Sequence, residues 1–230
     1  HRAALAADGP VSRGNWAARL LDLFFPAKCP FCGRLSPGPE PALCGRCRTQ
    51  LPWAGGHFRG EGFSRGVFLL YYEGAVRDSL LRYKFSGCAG YSQVYGQMLA
   101  QHIAEALPGA FDLVSYVPVS RRRRVSRGYD QAQLLARAVA AVYGVAVIET
   151  LRKRRHNRRQ SGLDSPAARR ANVRGVYEAL DPARFAGQRV LLIDDIVTTG
   201  ATLSEAARTL RAAGAADVVC AALAGRRGNP

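Results

Sequence analysis

Apolar residues in this chain fall into two alternating kinds of run. Short runs at Gly66 to Tyr72, Leu113 to Val117, Val145 to Thr150, Val176 to Ala179, Val190 to Ile193 and Asp217 to Leu223 read as strands, those at Leu113 and Val190 as buried ones. Between them, apolar residues spaced three and four apart predict helices over Ala75 to Phe85, Tyr91 to Leu107, Ala132 to Tyr143 and Leu203 to Ala213. Ser86-Gly87, Pro108-Gly109 and Gly214 supply the expected stops. Strands alternating with helices predict an α/β fold with a mainly parallel sheet. Ahead of this pattern, Trp16, Leu20, Leu21, Phe24 and Phe25 predict an amphipathic helix from Asn15 to Phe25, ended by Pro26 and packed on the rest of the protein.

Two stretches depart from the pattern and carry chemistry. The first is Cys29-Pro30-Phe31-Cys32 followed by Cys44-Gly45-Arg46-Cys47. Two C-x-x-C knuckles so close together can set four thiolates tetrahedrally around Zn²⁺. Two disulfides or a redox pair would use the same cysteines. No cleavage site follows the apolar Ala17 to Phe25, so no secretory leader is expected, and a reducing cytoplasm argues against disulfides. With all four positions taken by Cys, a catalytic zinc is not expected; the metal would supply the folding energy of a module too small for its own core, and the module would be structural or form a binding surface. Cys88 and Cys220 have no such partners and read as ordinary thiols.

The second stretch is Val190 to Thr202. A buried strand runs into Asp194 and Asp195, and Thr198, Thr199, Gly200, Ala201 and Thr202 lead into a helix. Ligands of open α/β sheets bind beyond the carboxyl ends of the strands. A loop there that starts a helix offers backbone N–H groups and the positive end of the helix dipole. Such a loop should hold a phosphate, with the aspartates one step back as acceptors for two ribose hydroxyls or a hydrated Mg²⁺. Gly60 to Gly66, by contrast, precedes a strand and has the wrong spacing for a dinucleotide fingerprint.

Charge narrows the choice of partner. Of the formal +16, a net +12 falls between Val119 and Arg174, where fifteen Arg and Lys face three acidic residues. Nucleic acid or a heavily phosphorylated small molecule fits that balance; an arginine-rich coding bias with solvated side chains would produce it too. No apolar run is long enough to span a membrane.

Val190 to Thr202 resembles, at all thirteen positions, the phosphoribosyl-pyrophosphate (PRPP) signature of type I phosphoribosyltransferases. More of the chain is similar to the competence protein F (ComF) family, which joins an N-terminal zinc ribbon to a phosphoribosyltransferase domain. The cysteine pairs, Arg82 to Gly87, Val117-Pro118-Val119, Arg127 to Gln131 and Gln160, Arg169 and Asn172 carry this likeness, with Tyr129 and Asp130 in place of the family's usual Phe and Asn. The likeness covers about residues 16 to 225, and with it the chain divides into an unstructured start over 1–14, an amphipathic helix and Cys₄ ribbon over 15–58, and a phosphoribosyltransferase-like α/β domain over 59–230.

The resemblance also implies roles. Asp194 and Asp195 would contact ribose and Mg²⁺, and Thr198 to Thr202 would grip the 5′-phosphate. Pro118, Val119, Ser120 and Arg121 would form the pyrophosphate loop. Lys153, Arg154 and Arg155 begin the flexible loop that closes over the site and could neutralise leaving pyrophosphate. A cytoplasmic protein connected with DNA uptake in transformation follows, beside uptake machinery at the inner membrane. The alternative is a single-stranded DNA-binding protein on a retained scaffold, gripping phosphates through Arg122, Arg123, Arg124 and Arg127. Aromatics near the basic segment are few, so phosphate contacts rather than base stacking are expected to dominate.

Overall fold

A computed structural model of the chain describes residues 27–36, 41–154 and 175–228. The expected helix over Asn15 to Phe25 lies outside the described residues, as do Arg155, Gln160, Arg169 and Asn172.

The centre is a five-stranded sheet ordered β1-β2-β7-β6-β3. Its strands are β1 (Trp53–Phe58), β2 (Arg65–Tyr71), β3 (Leu113–Tyr116), β6 (Arg189–Val197) and β7 (Asp217–Gly225). β2, β7, β6 and β3 run parallel, and β1 adds an antiparallel edge on β2. β4 (Leu151–Lys153) and β5 (Tyr177–Ala179) form a separate antiparallel pair.

β6 and β7 are buried on both sides, as their unbroken apolar runs require. Leu191, Ile193, Val219, Ala221 and Leu223 face one core with the helices α3 (Tyr91–Ala106) and α5 (Gln131–Tyr143). Val190, Leu192, Val218, Cys220 and Ala222 face a second core with α6 (Ala201–Ala212), Phe58, Phe68 and Phe185. Each Val, Leu, Ile or Phe side chain among them contributes about 1.5–3 kcal/mol by leaving water. α5 presents Ala132, Leu135, Ala136 and Val139 to the sheet at helical spacing. It lies close against α3: a Cβ at Gly96 would stand 2.3 Å from the Ala138 Cβ, so only glycine fits there.

The remaining helices are α1 (Gly45–Gln50), α2 (Gly74–Phe85) and α4 (Arg121–Arg127). Three of these features depart from the sequence pattern. Trp53 to Phe58 carries no alternation, because Gly55-Gly56 interrupts it at a register shift, yet it pairs as β1. Val145 to Thr150 pairs its backbone with β3 through the isolated Val114–Val147 bridge, with a Thr150–Ser115 hydroxyl contact of 2.6 Å beside it, and the named strand begins at Leu151. Arg121 to Arg127 is helical, starting at the last residue of the expected pyrophosphate loop and ended by Gly128 in the left-handed region. Among the described residues no helix is long and apolar enough to cross a membrane.

Candidate functional site

β3 and β6 are adjacent parallel strands, but the helices that follow them, α5 and α6, pack on opposite faces of the sheet. The chain therefore opens a crevice beyond their carboxyl ends. A cleft of about 630 Å³ lies there, bounded by α2, the Val117 to Val119 turn, α4, Lys153, Tyr177 and the end of β6.

β6 does not stop at its carboxylates; it continues to Val197. Neighbouring residues on a strand point to opposite faces, so Asp194 follows Leu192 toward the α6 side and Asp195 follows Ile193 toward the α2 and α5 side. Both still reach the cleft. Asp195 is buried and pairs with Lys84, Nζ to Oδ2 2.6 Å, and its N–H donates to Asp194 Oδ1 at 2.8 Å. Burial first, and then the charge of Asp195, push the Asp194 carboxyl well above the usual carboxylate range. The pair is thus asymmetric, with a counterion on Asp195 and a proton-holding tendency on Asp194.

The Thr198 to Thr202 turn passes from β6 into α6. Gly200 sits at φ +69°, a conformation that disfavours any side chain, and a Cβ there would stand 3.2 Å from the Arg59 carbonyl oxygen. Thr198 and Thr202 line the cleft. Thr199 Oγ1 is closed off from solvent without a hydrogen-bond partner, an unspent donor beside the start of α6.

The Val117 to Val119 turn is pinned at both ends. Val117 N–H donates to the Ile193 carbonyl at 2.9 Å, and Val119 N–H donates to Asp130 Oδ2 at 2.8 Å. Asp130 Oδ1 accepts from Ala132 and Gln133 N–H and so caps α5. Burial raises the Asp130 carboxyl, and these backbone N–H groups oppose that. An Asp where the related family has Asn therefore keeps the helix start.

Pro118, Val119, Arg123 and Arg127 line the cleft, whereas Ser120, Arg121, Arg122 and Arg124 do not. Arg123 and Arg127 share one face of α4 at four-residue spacing; Arg121, Arg122 and Arg124 are exposed. Of the expected flexible-loop cations, Lys153 faces the cleft with its Nζ 5.5 Å from the Tyr177 ring centre. Burial, then the Arg123 charge, bring the Lys153 ammonium down to about 8. Arg154 instead turns outward to Glu178 at 3.6 Å. Glu205 of α6 accepts the Gly175 N–H at 2.6 Å, two residues before β5.

Arg77, Tyr177 and Arg226 enter the cleft without having been given a role from the sequence, and so do Lys84 and Phe85, which the sequence marked only as part of the Arg82 to Gly87 motif. Rarity is the signal that could have found Lys84. The chain has three lysines, Lys28, Lys84 and Lys153, among thirty-three basic residues, and two of the three line this cleft. Together six basic side chains face two carboxylates there. The arrangement suits a multiply charged anion with a hydroxylated or metal-bound part near the aspartates.

The cysteines form the second centre. The four thiols of Cys29, Cys32, Cys44 and Cys47 lie within 4.8 Å of one another, with Cys32 and Cys44 Sγ 3.5 Å apart, and none is in a disulfide. Tetrahedral zinc at about 2.3 Å per bond needs sulfur separations of about 3.8 Å, so the set fits structural zinc. Cys47 N–H donates to Cys44 Sγ, capping α1; this bond first, with contacts from the neighbouring thiols, lowers the Cys44 thiol to about 7. The knuckle is docked on the main domain: Arg82 Nη2 donates to the Pro30 and Phe31 carbonyls at 2.8 and 3.3 Å, and Phe31 packs on Tyr95.

The phosphoribosyl transferase domain family matches residues 96–229, and the double zinc ribbon family matches residues 20–58. Competence protein F of Haemophilus influenzae is 27% identical over 189 residues, covering 76% of this chain and 81% of that protein. The DNA utilization protein YhgH of Salmonella typhi is 30% identical over 198 residues, covering 83% and 80%. Among solved structures, a glutamine PRPP amidotransferase from B. subtilis is 27% identical and covers 58% of this chain, with a TM-score of 0.41. The chain spans 26% of that protein.

Proposed function

This chain belongs to the competence protein F family, joining a phosphoribosyl transferase domain to a zinc ribbon, and on that premise we propose that its cleft binds PRPP with Mg²⁺. The observation that carries this reading is the convergence of Asp194, Asp195, Thr198 and Thr202 with six cations in one cleft beyond β3 and β6. The α6 turn would take the 5′-phosphate through backbone N–H groups and Thr hydroxyls. Asp194 and Asp195 would hold the ribose hydroxyls and Mg²⁺, which when bound offsets pyrophosphate charge. Pro118 and Val119, with Arg123, Arg127 and Lys153, would receive the pyrophosphate end.

Transfer from PRPP breaks the C1′–oxygen bond and leaves positive character on the ribose ring. The chain's part is to orient the sugar, stabilise the departing pyrophosphate and exclude water. Calorimetric titration of the full chain with PRPP and Mg²⁺ tests binding. Wild type should bind and the Asp194→Asn, Asp195→Asn double variant should bind at least tenfold more weakly; no heat from wild type at millimolar PRPP removes the reading.

A second reading is favoured by the exposed Arg121, Arg122 and Arg124 on α4. They suit phosphates of single-stranded DNA, in keeping with the competence and DNA-utilization roles that the relatives' names state. The protein would then work in the cytoplasm on strands arriving from uptake machinery at the inner membrane. Binding through phosphates falls with salt at a log–log slope of about −0.7 per neutralised phosphate. Alanine at Arg121 to Arg124 should flatten that slope; an unchanged slope moves the DNA contact elsewhere.

A further inference from the structure

Six cations face the cleft, and PRPP with Mg²⁺ leaves two of them without a task. Arg123, Arg127 and Lys153 gather at the β3 end, and Lys84 is taken by Asp195. Arg226 directly follows β7, and Arg77 stands in the first turn of α2, just beyond β2. The sheet order sets β7 and β2 on the other side of β6 from β3. At about 4.8 Å per strand, the ends of β7 and β3 are about 10 Å apart, with the carboxylates of β6 between them.

α2 reaches from one end of the cleft to the other. Arg77, Leu81 and Lys84 line it at i, i+4 and i+7, a single stripe of the helix. The helical rise separates Arg77 from Lys84 by about 10 Å along the axis. The backbone at the Arg77 end is fixed. Tyr72 N–H donates to the Gly225 carbonyl at 2.7 Å, and Arg227 lies over the Tyr71 ring and donates to both Glu73 oxygens at 2.7 and 3.0 Å. Glu73 is thereby satisfied by Arg227 and not by its neighbour. Among the described residues Arg226 has no hydrogen-bond or ion-pair partner. Arg77 has only Asp78, at 3.7 Å with both side chains more than half exposed, a pair that contributes little.

The direction of transfer says what enters at this end. With pyrophosphate at the β3 turn, the C1′–oxygen bond breaks toward β3, and the new bond to C1′ forms from the opposite side, toward β7. The electron pair of the broken bond leaves with pyrophosphate, which also takes the proton that the acceptor's N–H or O–H gives up. We infer that the acceptor substrate carries an acid group, a carboxylate or a phosphate, which Arg77 and Arg226 hold beyond β7 and β2. A guanidinium offers paired donors that match either oxyanion. A neutral acceptor would leave both idle. The inference rests on the cleft's holding PRPP with its pyrophosphate beyond β3.

The competing occupant is the 5′-phosphate, because Gly225 pairs with Val197 and so brings Arg226 beside Thr198. Arg77 argues against it. α2 packs on the sheet face that carries α3 and α5, whereas the α6 turn belongs to the other face.

Calorimetry on the full chain tests the inference, with ribose 5-phosphate and Mg²⁺-pyrophosphate present to fill the PRPP positions without a bond to transfer. The probes are 4-aminobenzoate, 4-aminophenyl phosphate and 4-aminobenzamide, which share an uncharged amine and differ in the group opposite it. Wild type should bind at least one anionic probe about tenfold or more tighter than the amide, the strength of a charge-assisted contact. The tighter of the two anions assigns carboxylate or phosphate. Arg77→Gln with Arg226→Gln should erase the preference, and each single variant should reduce it. Ribose 5-phosphate and Mg²⁺-pyrophosphate should bind the double variant within about twofold of wild type, since both positions are exposed.

A double variant that loses ribose 5-phosphate affinity assigns the arginines to the 5′-phosphate and overturns the inference; loss of pyrophosphate affinity overturns it too. So does a wild type that binds PRPP yet prefers neither anion to the amide. A wild type that binds no PRPP removes the reading beneath the inference, and the inference falls with it. Titration of wild type with PRPP alone therefore tells the two failures apart.

Discussion

Replacing Lys84 with methionine is expected to cost the folded chain about 3 kcal/mol and to make its stability respond to Mg²⁺. Lys84 Nζ stands 2.6 Å from Asp195 Oδ2, with 18% and 12% of the two side chains exposed. Breaking a pair this buried from one side costs about 3–5 kcal/mol, because the surviving charge keeps its desolvation and loses its partner. The open cleft beside Lys84 puts the estimate at the lower end. For a chain of this size each kcal/mol lowers Tm by about 2–4 °C, so the variant should melt about 6–12 °C below wild type. Lys84→Met with Asp195→Asn removes both charges and should recover most of the loss, a coupling of about 2 kcal/mol in a double-mutant cycle. Mg²⁺ can replace the missing charge beside the two carboxylates. At tenfold excess over its dissociation constant it should return about 1.4 kcal/mol to Lys84→Met, and less to wild type, where the ammonium competes. Thermal unfolding followed by circular dichroism, in EDTA and in Mg²⁺, reads all of this. A Lys84→Met midpoint within about 2 °C of wild type, or a double variant no more stable than the single one, would refute the reasoning.

Purified reduced protein should carry one zinc per chain, and Cys44→Ser should lose it and destabilise the knuckle; metal analysis showing none in chelator-free wild type would end the zinc assignment. Lys153, brought down to about 8 by burial, is charged below that pH and neutral above it. Pyrophosphate affinity should therefore fall as pH rises through about 8, and Lys153→Arg should flatten that fall when calorimetry is repeated across the range; an equally steep fall in the variant assigns the effect to another group.

Periodicity carried most of the fold. The buried runs of β6 and β7 were legible because both faces of a central parallel strand are covered, and α5 because its apolar stripe keeps helical spacing. β1 was not legible, since an edge strand built on Gly55-Gly56 carries no alternation and is held by its partner β2. Val145 to Thr150 misled for the opposite reason: its composition suits a strand, but it makes only one bridge to β3. In the site, the Val190 to Thr202 stretch was legible because strand, carboxylates and phosphate loop are contiguous. Lys84 and Phe85 stood out only as part of the Arg82 to Gly87 motif, without a role, for they reach the cleft from α2 through tertiary packing, and no local pattern says which side of a helix will meet a strand more than a hundred residues later.

The four residues Arg82 to Phe85 show how such a site is assembled from a single helix turn. Successive side chains on a helix leave the axis about 100° apart, so four neighbours address four directions. Arg82 donates to the Pro30 and Phe31 carbonyls of the zinc knuckle. Tyr83, fully buried, donates to the Gln131 carbonyl at the start of α5, at 2.9 Å, and its own carbonyl accepts the Tyr129 hydroxyl. Lys84 meets Asp195 on β6, and Phe85 lies under Arg127 of α4. The last turn of α2 therefore ties the zinc knuckle to both helices that follow β3 and to the carboxylate pair. Position here is over-determined: the knuckle holds Arg82, which fixes the rotation of α2, and that rotation aims Lys84 at Asp195. A change that loosened the knuckle would act on the cleft through this rotation and without touching a cleft residue. The docking of the zinc knuckle on Arg82 and the pairing of Lys84 with Asp195 thus share one helix turn, which gives a physical reason for one chain to carry both a zinc ribbon and a phosphoribosyl transferase domain.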